Sequence, residues 1–230
     1  MRRFLIPALI GALSLAVAAP TTAAPGEGDK YKLTGNAKDD IDPQNPANEV
    51  ISFDTDPPAV NGVDRKLDSN TNIMDLDNQV EVKYLFVGRT CSGGSPRFQL
   101  QIDGNGDGKF NQAPGGPDQN AFGPLGDVPF GGFCPMDMWR FEDMTNDVPK
   151  WDISQFGGGQ AVSWDAMEAF LNGAFPNHRV LMGSLVDDSS SFDPSTVGCA
   201  YFDALSIGAG SVTKRDETSD SGEGKKNNDC

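Results

Sequence analysis

The sequence predicts an all-β fold, an antiparallel β-sandwich of jelly-roll type with one short helix. Three observations support this. Several segments alternate apolar and polar residues with the period of two that places one face of a strand in a core. The connections between them are rich in Gly, Pro, Asn and Asp, the residues that turns require. Only one segment, 164–172, carries apolar residues at helical spacing.

The N-terminal residues predict export. Two arginines precede a mostly apolar run over 4–19, and small residues offer cleavage after Ala18 or after Ala23. This is the pattern of a secretory signal peptide, which we place at 1–23. No later segment is apolar enough to span a bilayer, so we expect a secreted or extracellular protein without membrane insertion.

The chain is strongly acidic, with 33 Asp and Glu against 18 Lys and Arg and a formal net charge of −15. Removal of the signal peptide would take away two more positive charges. Such a chain repels nucleic acid and anionic membranes, so we expect no nucleic-acid partner. The acids are mostly Asp, which fits a turn-rich β fold with oxygen-ligand sites, and a high-salt habitat is an alternative source of the same acidity.

We expect a single folded domain over 48–210, which is long enough to bury a sizeable core. A polar, irregular leader over 24–47 precedes it in the sequence. A disordered polar tail over 211–230 follows it, because its composition is charged and poor in apolar residues.

Element boundaries follow from the same patterns. The dipeptide of Asn61 and Gly62 predicts a hairpin turn, and 114–132 predicts a long loop held by its aromatic residues. The helix is predicted over 164–172, with Ser163 as its N-cap and Gly173 just beyond its end. The predicted strands run over 49–55, 79–88, 97–102, 151–156, 180–186 and 197–207, and a further strand begins with Met138, Trp139 and Phe141.

Four cysteines in an exported chain favour disulfides over thiolate metal sites. Cys91 and Cys134 both lie beside glycine turns in the ordered region, so we pair them, while two other connectivities of the four cysteines stay open. Closing that loop is worth about 4 kcal/mol in the chain-entropy model. Cys199 and Cys230 are then left to bond with each other, with another molecule or with nothing.

The acidic glycine turn that follows the 97–102 strand is a candidate calcium site. Asp103, Asn105 and Asp107 occupy every second position and Gly108 follows, which places three oxygen side chains on the inside of a tight loop. In such a loop the backbone carbonyl at Lys109 would supply a further ligand. We expect calcium to fix this loop rather than to take part in catalysis.

Two features separate the turn from an EF-hand. Its twelfth position is Pro114, which has no side-chain ligand, and its flanks are predicted strands instead of helices. Asp118, or an acid from elsewhere, would have to complete the coordination. The alternative is a glycine-rich hairpin turn without metal, in which Asp and Asn simply tolerate unusual backbone angles.

Asp203 is a second candidate metal ligand. A carboxylate on a buried strand face must be paired, hydrogen-bonded or metal-bound, because an isolated buried charge is costly. Strand parity places Asp203 on one face with Val197, Cys199, Tyr201, Leu205 and Ile207.

The stretch 201–207, Tyr-Phe-Asp-Ala-Leu-Ser-Ile, resembles the closing strand of jelly-roll carbohydrate-binding modules. In several such families an acid at this place joins an acid of the first strand at a structural calcium. The resemblance therefore implies a partner for Asp203 in Glu49 or Asp54. From the first cysteine to Asp203 the chain is also similar to secreted bacterial β-sandwich proteins of uncharacterised role, which implies a fold and no activity.

Catalytic patterns are mostly absent from the sequence. His178 is the only histidine and is expected in a surface loop, so triads and histidine zinc sites are hard to assemble. Exposed aromatic rings would indicate sugar binding. The candidates are Trp139, Trp151, Trp164 and Tyr84, and each lies in an apolar pattern that is typical of a core.

The sequence therefore favours an exported, non-enzymatic protein that binds extracellular carbohydrate, with calcium holding one loop. This expectation rests on analogy between folds. One alternative is a glycan-active hydrolase or lyase on the same scaffold, with two acids facing each other in an aromatic-lined cleft. The other is a structural protein of a cell envelope or matrix, linked through Cys230.

Overall fold

The computed structural model describes strands, two short 3₁₀ helices and one α-helix. The described residues are 31–54, 60–92, 94–126, 134–146, 148–188, 197–208 and 211–212. In chain order the strands are β1 Tyr31–Thr34, β2 Ala37–Asp42, β3 Asn45–Asp54, β4 Asn61–Lys66, β5 Val80–Val87, β6 Arg97–Asp103, β7 Gln119–Pro124, β8 Arg140–Asp143, β9 Arg179–Asp187, β10 Cys199–Ile207 and β11 Ser211–Val212. The 3₁₀ helices are Ile73–Leu76 and Ser154–Phe156, and the α-helix, α1, is Trp164–Ala174. The predicted signal peptide, the tail beyond 212 and Cys230 lie outside the described residues.

The strands form two antiparallel sheets. Sheet 1 has the order β1-β4-β9-β6-β7, and sheet 2 has the order β2-β3-β10-β5-β8, with β11 beside the end of β10. The predicted all-β sandwich is confirmed.

The connectivity of β3 to β10 is that of a jelly roll. These eight strands form four antiparallel pairs, in which the first strand lies beside the last, β4 beside β9, β5 beside β8, and β6 beside β7. Two of the pairs belong to each sheet, and the pairs are joined where β10 meets β5 and where β9 meets β6. A double-sheet jelly roll has this arrangement of nested pairs. β1 and β2 each extend one edge.

The core lies between the two sheets. Phe98 and Leu100 of β6 are fully buried, as the period-two pattern predicts, and meet the inner side chains of sheet 2. Among these, Phe53 and Phe202 pack with ring centroids 4.6 Å apart. Such aromatic pairs contribute beyond the area that they bury.

The predicted helix is confirmed as α1. Ser163 is its N-cap, and the side chain of Ser163 accepts a hydrogen bond from the backbone N–H of Ala166 at 3.2 Å. The buried stripe of α1 packs on the core, where Trp164 meets Trp151 with centroids 5.3 Å apart. Gly173 lies inside the helix, which continues to Ala174 and ends before a proline. No helix in the described ranges is long and apolar enough to cross a membrane.

The predicted disulfide is confirmed. Cys91 and Cys134 are joined across 43 residues, with their Cα atoms 5.2 Å apart. Cys199 lies buried at the start of β10. Its pairing with Cys230 falls outside the described residues.

The N-terminal part of the sandwich differs from expectation. The stretch 31–47, predicted to be irregular, contains β1, β2 and the beginning of β3. Asn61, predicted to lie in a turn, is fully buried at the start of β4. Its amide accepts a hydrogen bond from the Asn36 N–H at 2.7 Å and donates one to the Asp54 carbonyl at 2.8 Å. These bonds tie the start of β4 to the end of β3 and to the turn between β1 and β2.

Two later segments also differ. The stretch 114–132, predicted as a loop, contains β7, whose Gly123 lies against the Trp151 ring. A side chain at this position would meet that ring, so glycine is needed for close packing. The segment 151–156, predicted as a strand, forms isolated bridges at Trp151 and Asp152 followed by a 3₁₀ helix.

A β-bulge changes the parity of β10. The register with β5 shifts between Asp203 and Ser206, and Ala204 has a φ of 47°. Cys199, Tyr201 and Asp203 therefore face away from the core, whereas Leu205 and Ile207 belong to it. The prediction that Asp203 shares a face with Leu205 and Ile207 was wrong, because strict alternation does not pass through a bulge.

Candidate functional site

The acidic glycine turn connects β6 to β7 at one end of sheet 1. Asp103 is fully buried, and its two carboxylate oxygens accept hydrogen bonds from the N–H groups of Gly106 and Gly108, both at 2.7 Å. Asp118 is also buried and accepts from Gly104 at 3.2 Å and from the Asn111 N–H at 2.9 Å. Two buried carboxylates therefore hold the turn through backbone donors.

The other two predicted ligand side chains are exposed. Asn105 accepts a hydrogen bond from the Asp107 N–H, and Asp107 accepts one from the Lys109 N–H, both at 2.9 Å. Each bond closes an Asx turn, as in the metal-free alternative. The structure thus brings Asp103, Asn105, Asp107 and Lys109 into one turn.

The donor set of this turn consists of carboxylate, amide and carbonyl oxygens, which suits calcium. The described ranges nevertheless contain no group of three or more His, Cys, Asp or Glu side chains placed to hold a metal ion. Asp103 and Asp118 are engaged by backbone N–H groups, and Asp107 lies on the exposed side. An ion here would depend on the Asn105 amide and on backbone carbonyls as well as on carboxylates.

Asp203 belongs to a different part of the molecule. It lies on the outer face of sheet 2, where Asn48 donates to it at 3.3 Å and the Lys83 ammonium lies 3.7 Å away. The same Asn48 nitrogen also donates to Asp42 at 3.3 Å. Asp42 and Asp203 are therefore close neighbours, joined by one shared donor. Within the described residues, the acid that accompanies Asp203 is therefore Asp42, where Glu49 or Asp54 was predicted.

We define the outer face of sheet 2 by seven side chains that point away from the core. The strand register places Phe141 opposite Lys83 and Lys83 opposite Asp203. One step along the strands, Tyr201 lies opposite Ser52, whose hydroxyl donates to Asp40 at 2.9 Å. The seven members are Asp40, Ser52, Lys83, Trp139, Phe141, Tyr201 and Asp203.

Aromatic rings and charges are in contact on this face. The Lys83 ammonium lies 4.7 Å from the centre of the Trp139 ring, a cation–π distance. The Trp139 indole N–H donates to Asp42 at 3.3 Å, which fixes the ring's orientation. Phe141 is 61% exposed. Tyr201 is only 4% exposed, and this burial raises its pKa, with a further contribution from the Asp40 charge.

The structure separates the four predicted aromatic candidates. Trp151, Trp164 and Tyr84 are core residues, as their apolar patterns indicated. Trp139 is half-buried on the outer face of sheet 2. Sequence reasoning did not single out Phe141 and Lys83, although positions 139 and 141 alternate with the charged residues 140 and 142.

His178 is buried, with 2% of its surface exposed, so the expectation of a surface histidine was wrong. Its Nδ1 lies 2.8 Å from the Phe175 carbonyl, and its Nε2 accepts the Ile73 N–H at 3.4 Å. This pattern requires the neutral ring with the proton on Nδ1. Burial lowers the pKa of His178, because the charged form loses its hydration.

This burial predicts a loss of stability in mild acid. The unfolded chain takes up a proton as pH falls through about 6.5, while folded His178 stays neutral, so stability present above that pH is lost below it. We expect the free energy of unfolding to fall by up to about 1.4 kcal/mol per pH unit as the pH falls below about 6.5.

Denaturant melts at several pH values, compared with those of His178→Gln, measure this effect. The comparison stays above about pH 5.5, because the pKa values of Glu81 and Glu168 are raised by burial and act in the opposite direction at lower pH. An equal pH dependence in both proteins would contradict the prediction.

Comparisons with protein-family models, with curated proteins and with solved structures gave no match to this chain.

Proposed function

We propose that this protein is an exported, non-catalytic binding protein that holds carbohydrate on the outer face of sheet 2, with calcium fixing the Asp103 turn. The observation that carries the proposal is the combination of the exposed Phe141 ring and the half-buried Trp139 ring with the polar side chains of Lys83 and Asp203 on one sheet face. The resemblance of 201–207 to carbohydrate-binding modules points to the same face, since Tyr201 and Asp203 belong to it.

The chemistry of the face suits a sugar. Pyranose rings present C–H groups that stack on aromatic rings, and hydroxyls that need donors and acceptors at fixed positions. Phe141 offers an exposed ring, and Lys83 beside it offers a donor. Asp203, whose side chain is 20% exposed, offers an acceptor within the same face.

The charge of the protein limits the ligand. With a net charge of −15, the chain repels polyanions at low salt, so uronate-rich and sulfated glycans are disfavoured. Lys83 is already paired with Asp203, which reduces its pull on an anion. We therefore favour a neutral polysaccharide.

Export is supported by two independent features. The first is the signal-peptide pattern over 1–23. The second is the disulfide between Cys91 and Cys134, because structural disulfides persist in oxidising compartments and are rare in the cytosol.

A binding role is favoured over hydrolysis because the two neighbouring acids, Asp42 and Asp203, are already engaged by other side chains. Asp42 accepts hydrogen bonds from the Asn48 amide and the Trp139 indole, and Asp203 is paired with Lys83. Both carboxylates are thus occupied by partners from the protein itself, whereas glycoside hydrolysis needs two carboxyl groups that are free to flank the scissile bond. Release of soluble sugar in the assay below would reverse this choice.

Phe141→Ala is expected to abolish or strongly weaken polysaccharide binding, because it removes the exposed ring without disturbing the core. Pull-down on insoluble neutral polysaccharides, followed by affinity electrophoresis, measures the effect. Met74→Ala is the matched control, since Met74 is 57% exposed on a different element, the first 3₁₀ helix.

Equal binding by both variants would place the site elsewhere. Failure of the unmodified protein to bind any neutral polysaccharide would favour a structural role in an envelope or matrix.

Calcium is expected to raise the thermal midpoint. At a concentration one hundred times the dissociation constant, a single site adds about 2.7 kcal/mol, which corresponds to roughly 5 to 10 °C for a chain of this size. Scanning calorimetry with calcium and with EDTA measures the shift.

Asp107→Ala should remove the calcium response and leave the midpoint in EDTA nearly unchanged, because Asp107 is exposed. Asp165→Ala, an exposed acid at the start of α1, is the control and should keep the full response. An unchanged midpoint for the unmodified protein would rule out the calcium.

A further inference from the structure

The chain contains three Asn-Gly dipeptides, and they lie in three different structural environments. Asn61 and Gly62 lie in β4, and Asn172 and Gly173 lie in α1. Asn105 and Gly106 lie in the turn between β6 and β7, where Asn105 is exposed. Asn-Gly is the dipeptide most prone to deamidation, because no side chain on the second residue hinders attack by its backbone nitrogen.

We propose that Asn105 is a site of spontaneous deamidation, which converts it to a mixture of aspartate and isoaspartate in the folded protein. The Gly106 nitrogen forms a bond to Cγ of Asn105, and its proton passes to hydroxide. The bond from Cγ to Nδ2 then breaks and ammonia leaves after taking a proton from water. Water opens the resulting succinimide on either side, which gives the two products.

The turn affects this reaction in two ways. The Gly106 N–H donates to Asp103 Oδ1 at 2.7 Å, so this hydrogen bond must open before the nitrogen can attack, whereas a second hydrogen bond assists the reaction. The side-chain oxygen of Asn105 accepts a hydrogen bond from the Asp107 N–H at 2.9 Å. That oxygen carries the negative charge of the tetrahedral intermediate, so a donor already aimed at it stabilises the charge as it develops. The exposed position also admits the water that completes the reaction.

The packing of the turn requires glycine at position 106. Gly106 has a φ of 73°, and a Cβ placed on it would collide with the Asn177 carbonyl. No other residue therefore fits at 106 without displacing the start of β9. Asp107 and Gly108 repeat the geometry, but an ionised carboxylate is a poorer electrophile than an amide.

The two other dipeptides are held in unreactive conformations. The Asn61 amide is fully buried and bonded to Asn36 and Asp54, and its backbone lies in β4 opposite Asp187 of β9. The backbone of Asn172 is helical, which keeps the next nitrogen away from the side-chain carbon. They are internal controls within the same molecule.

The test is peptide mass mapping of the purified full-length protein after incubation at mildly alkaline pH. EDTA is present, so that the outcome does not depend on the proposed calcium. We expect the peptide that contains Asn105 to gain about one dalton and to split into two chromatographic forms. The same incubation in urea supplies the rate of each dipeptide in the unfolded chain.

At Asn61 and Asn172 we expect folding to slow the reaction more than about tenfold, since local opening of a buried strand or helix costs several kcal/mol. At Asn105 folding should slow the reaction much less, because the residue is exposed and only the hydrogen bond from Gly106 to Asp103 has to open. Asn105→Gln, a change at an exposed position, should remove the mass gain from that peptide alone. The proposal is overturned if folding protects Asn105 as strongly as the other two, or if either of them reacts first.

Discussion

Arg89→Met is expected to lower the free energy of unfolding by about 3–5 kcal/mol, because it leaves the carboxylate of Asp187 buried without the guanidinium. Both side chains are fully buried, and Arg89 Nη1 donates to Asp187 Oδ2 at 2.6 Å. The Ser95 hydroxyl also donates to Asp187, at 3.2 Å, and cannot replace a full counter-charge. Urea denaturation followed by tryptophan fluorescence measures the loss.

A neighbouring ion pair provides the control. Arg97 and Asp188 form a bidentate pair at 2.6 and 2.8 Å, with 19% and 16% of their side chains exposed. Arg97→Met should cost less than Arg89→Met, since water reaches the carboxylate left behind. Burial raises the pKa of Asp188, but the hydrogen bond and charge of Arg97, together with hydrogen bonds from Ser95 and the backbone, outweigh it and leave the pKa lowered. The double replacement Arg89→Met with Asp187→Leu should recover much of the loss, because no buried charge remains. Equal losses from both single variants would contradict this explanation.

The double variant Cys91→Ser with Cys134→Ser is expected to lose about 4 kcal/mol, mainly through the greater freedom of the unfolded chain when a loop of this length is open. The disulfide closes 43 residues that include β6 and β7. Native contacts near the bond should survive, because Thr90 Oγ1 donates to the Cys134 carbonyl at 2.9 Å and accepts the Cys134 N–H at 3.1 Å. The folded structure should therefore change little while the stability falls.

Denaturant melts of the oxidised protein and of this double variant measure the difference. The m-value provides a second criterion, because an uncrosslinked unfolded chain exposes more surface and should give a steeper slope. Mass mapping that joins Cys91 to any residue other than Cys134 would contradict the assignment. An unchanged free energy of unfolding would show that the cross-link contributes nothing to stability.

Much of the sandwich could be predicted, because the residues of its central strands alternate between apolar and polar without reference to any partner strand. β5, β6 and β9 are long and have a buried inner row, so period-two alternation locates them to within a residue or two. The helix was equally clear, since Ser163 and the stripe that begins at Trp164 define its start.

The strands that the sequence did not predict are those whose conformation depends on pairing with a neighbouring strand. β2 reads Ala-Lys-Asp-Asp-Ile-Asp and has no apolar period, yet pairing with β3 makes it a strand. β7 contains Gln119, Asn120 and Gly123, which suggest a loop, but β6 supplies its ladder and Trp151 covers it. Edge strands of this kind depend on tertiary context more than on intrinsic preference.

The Asp103 turn and the outer face of sheet 2 also differ in how far they could be predicted from the sequence. The Asp103 turn is local in sequence, so the spacing of its oxygens was visible without a structure. The outer face of sheet 2 joins Phe141, Lys83 and Asp203 from three strands, and only the register reveals that they are neighbours. The bulge at Ala204 hides the orientation of Asp203 even from a correct strand assignment.

The nested order of the jelly roll has a consequence for synthesis. β10 lies between β3 and β5 and pairs Ala200 with both Phe53 and Phe86, so sheet 2 is divided into two fragments until the last part of the chain exists. Long-range pairing of this kind makes folding slow and leaves early strands with uncovered edges that attract other chains. A nascent polypeptide that stops short of Cys199 therefore contains every strand of sheet 1 but only two unjoined strand pairs of sheet 2, whose open edges are vulnerable to proteases and to aggregation.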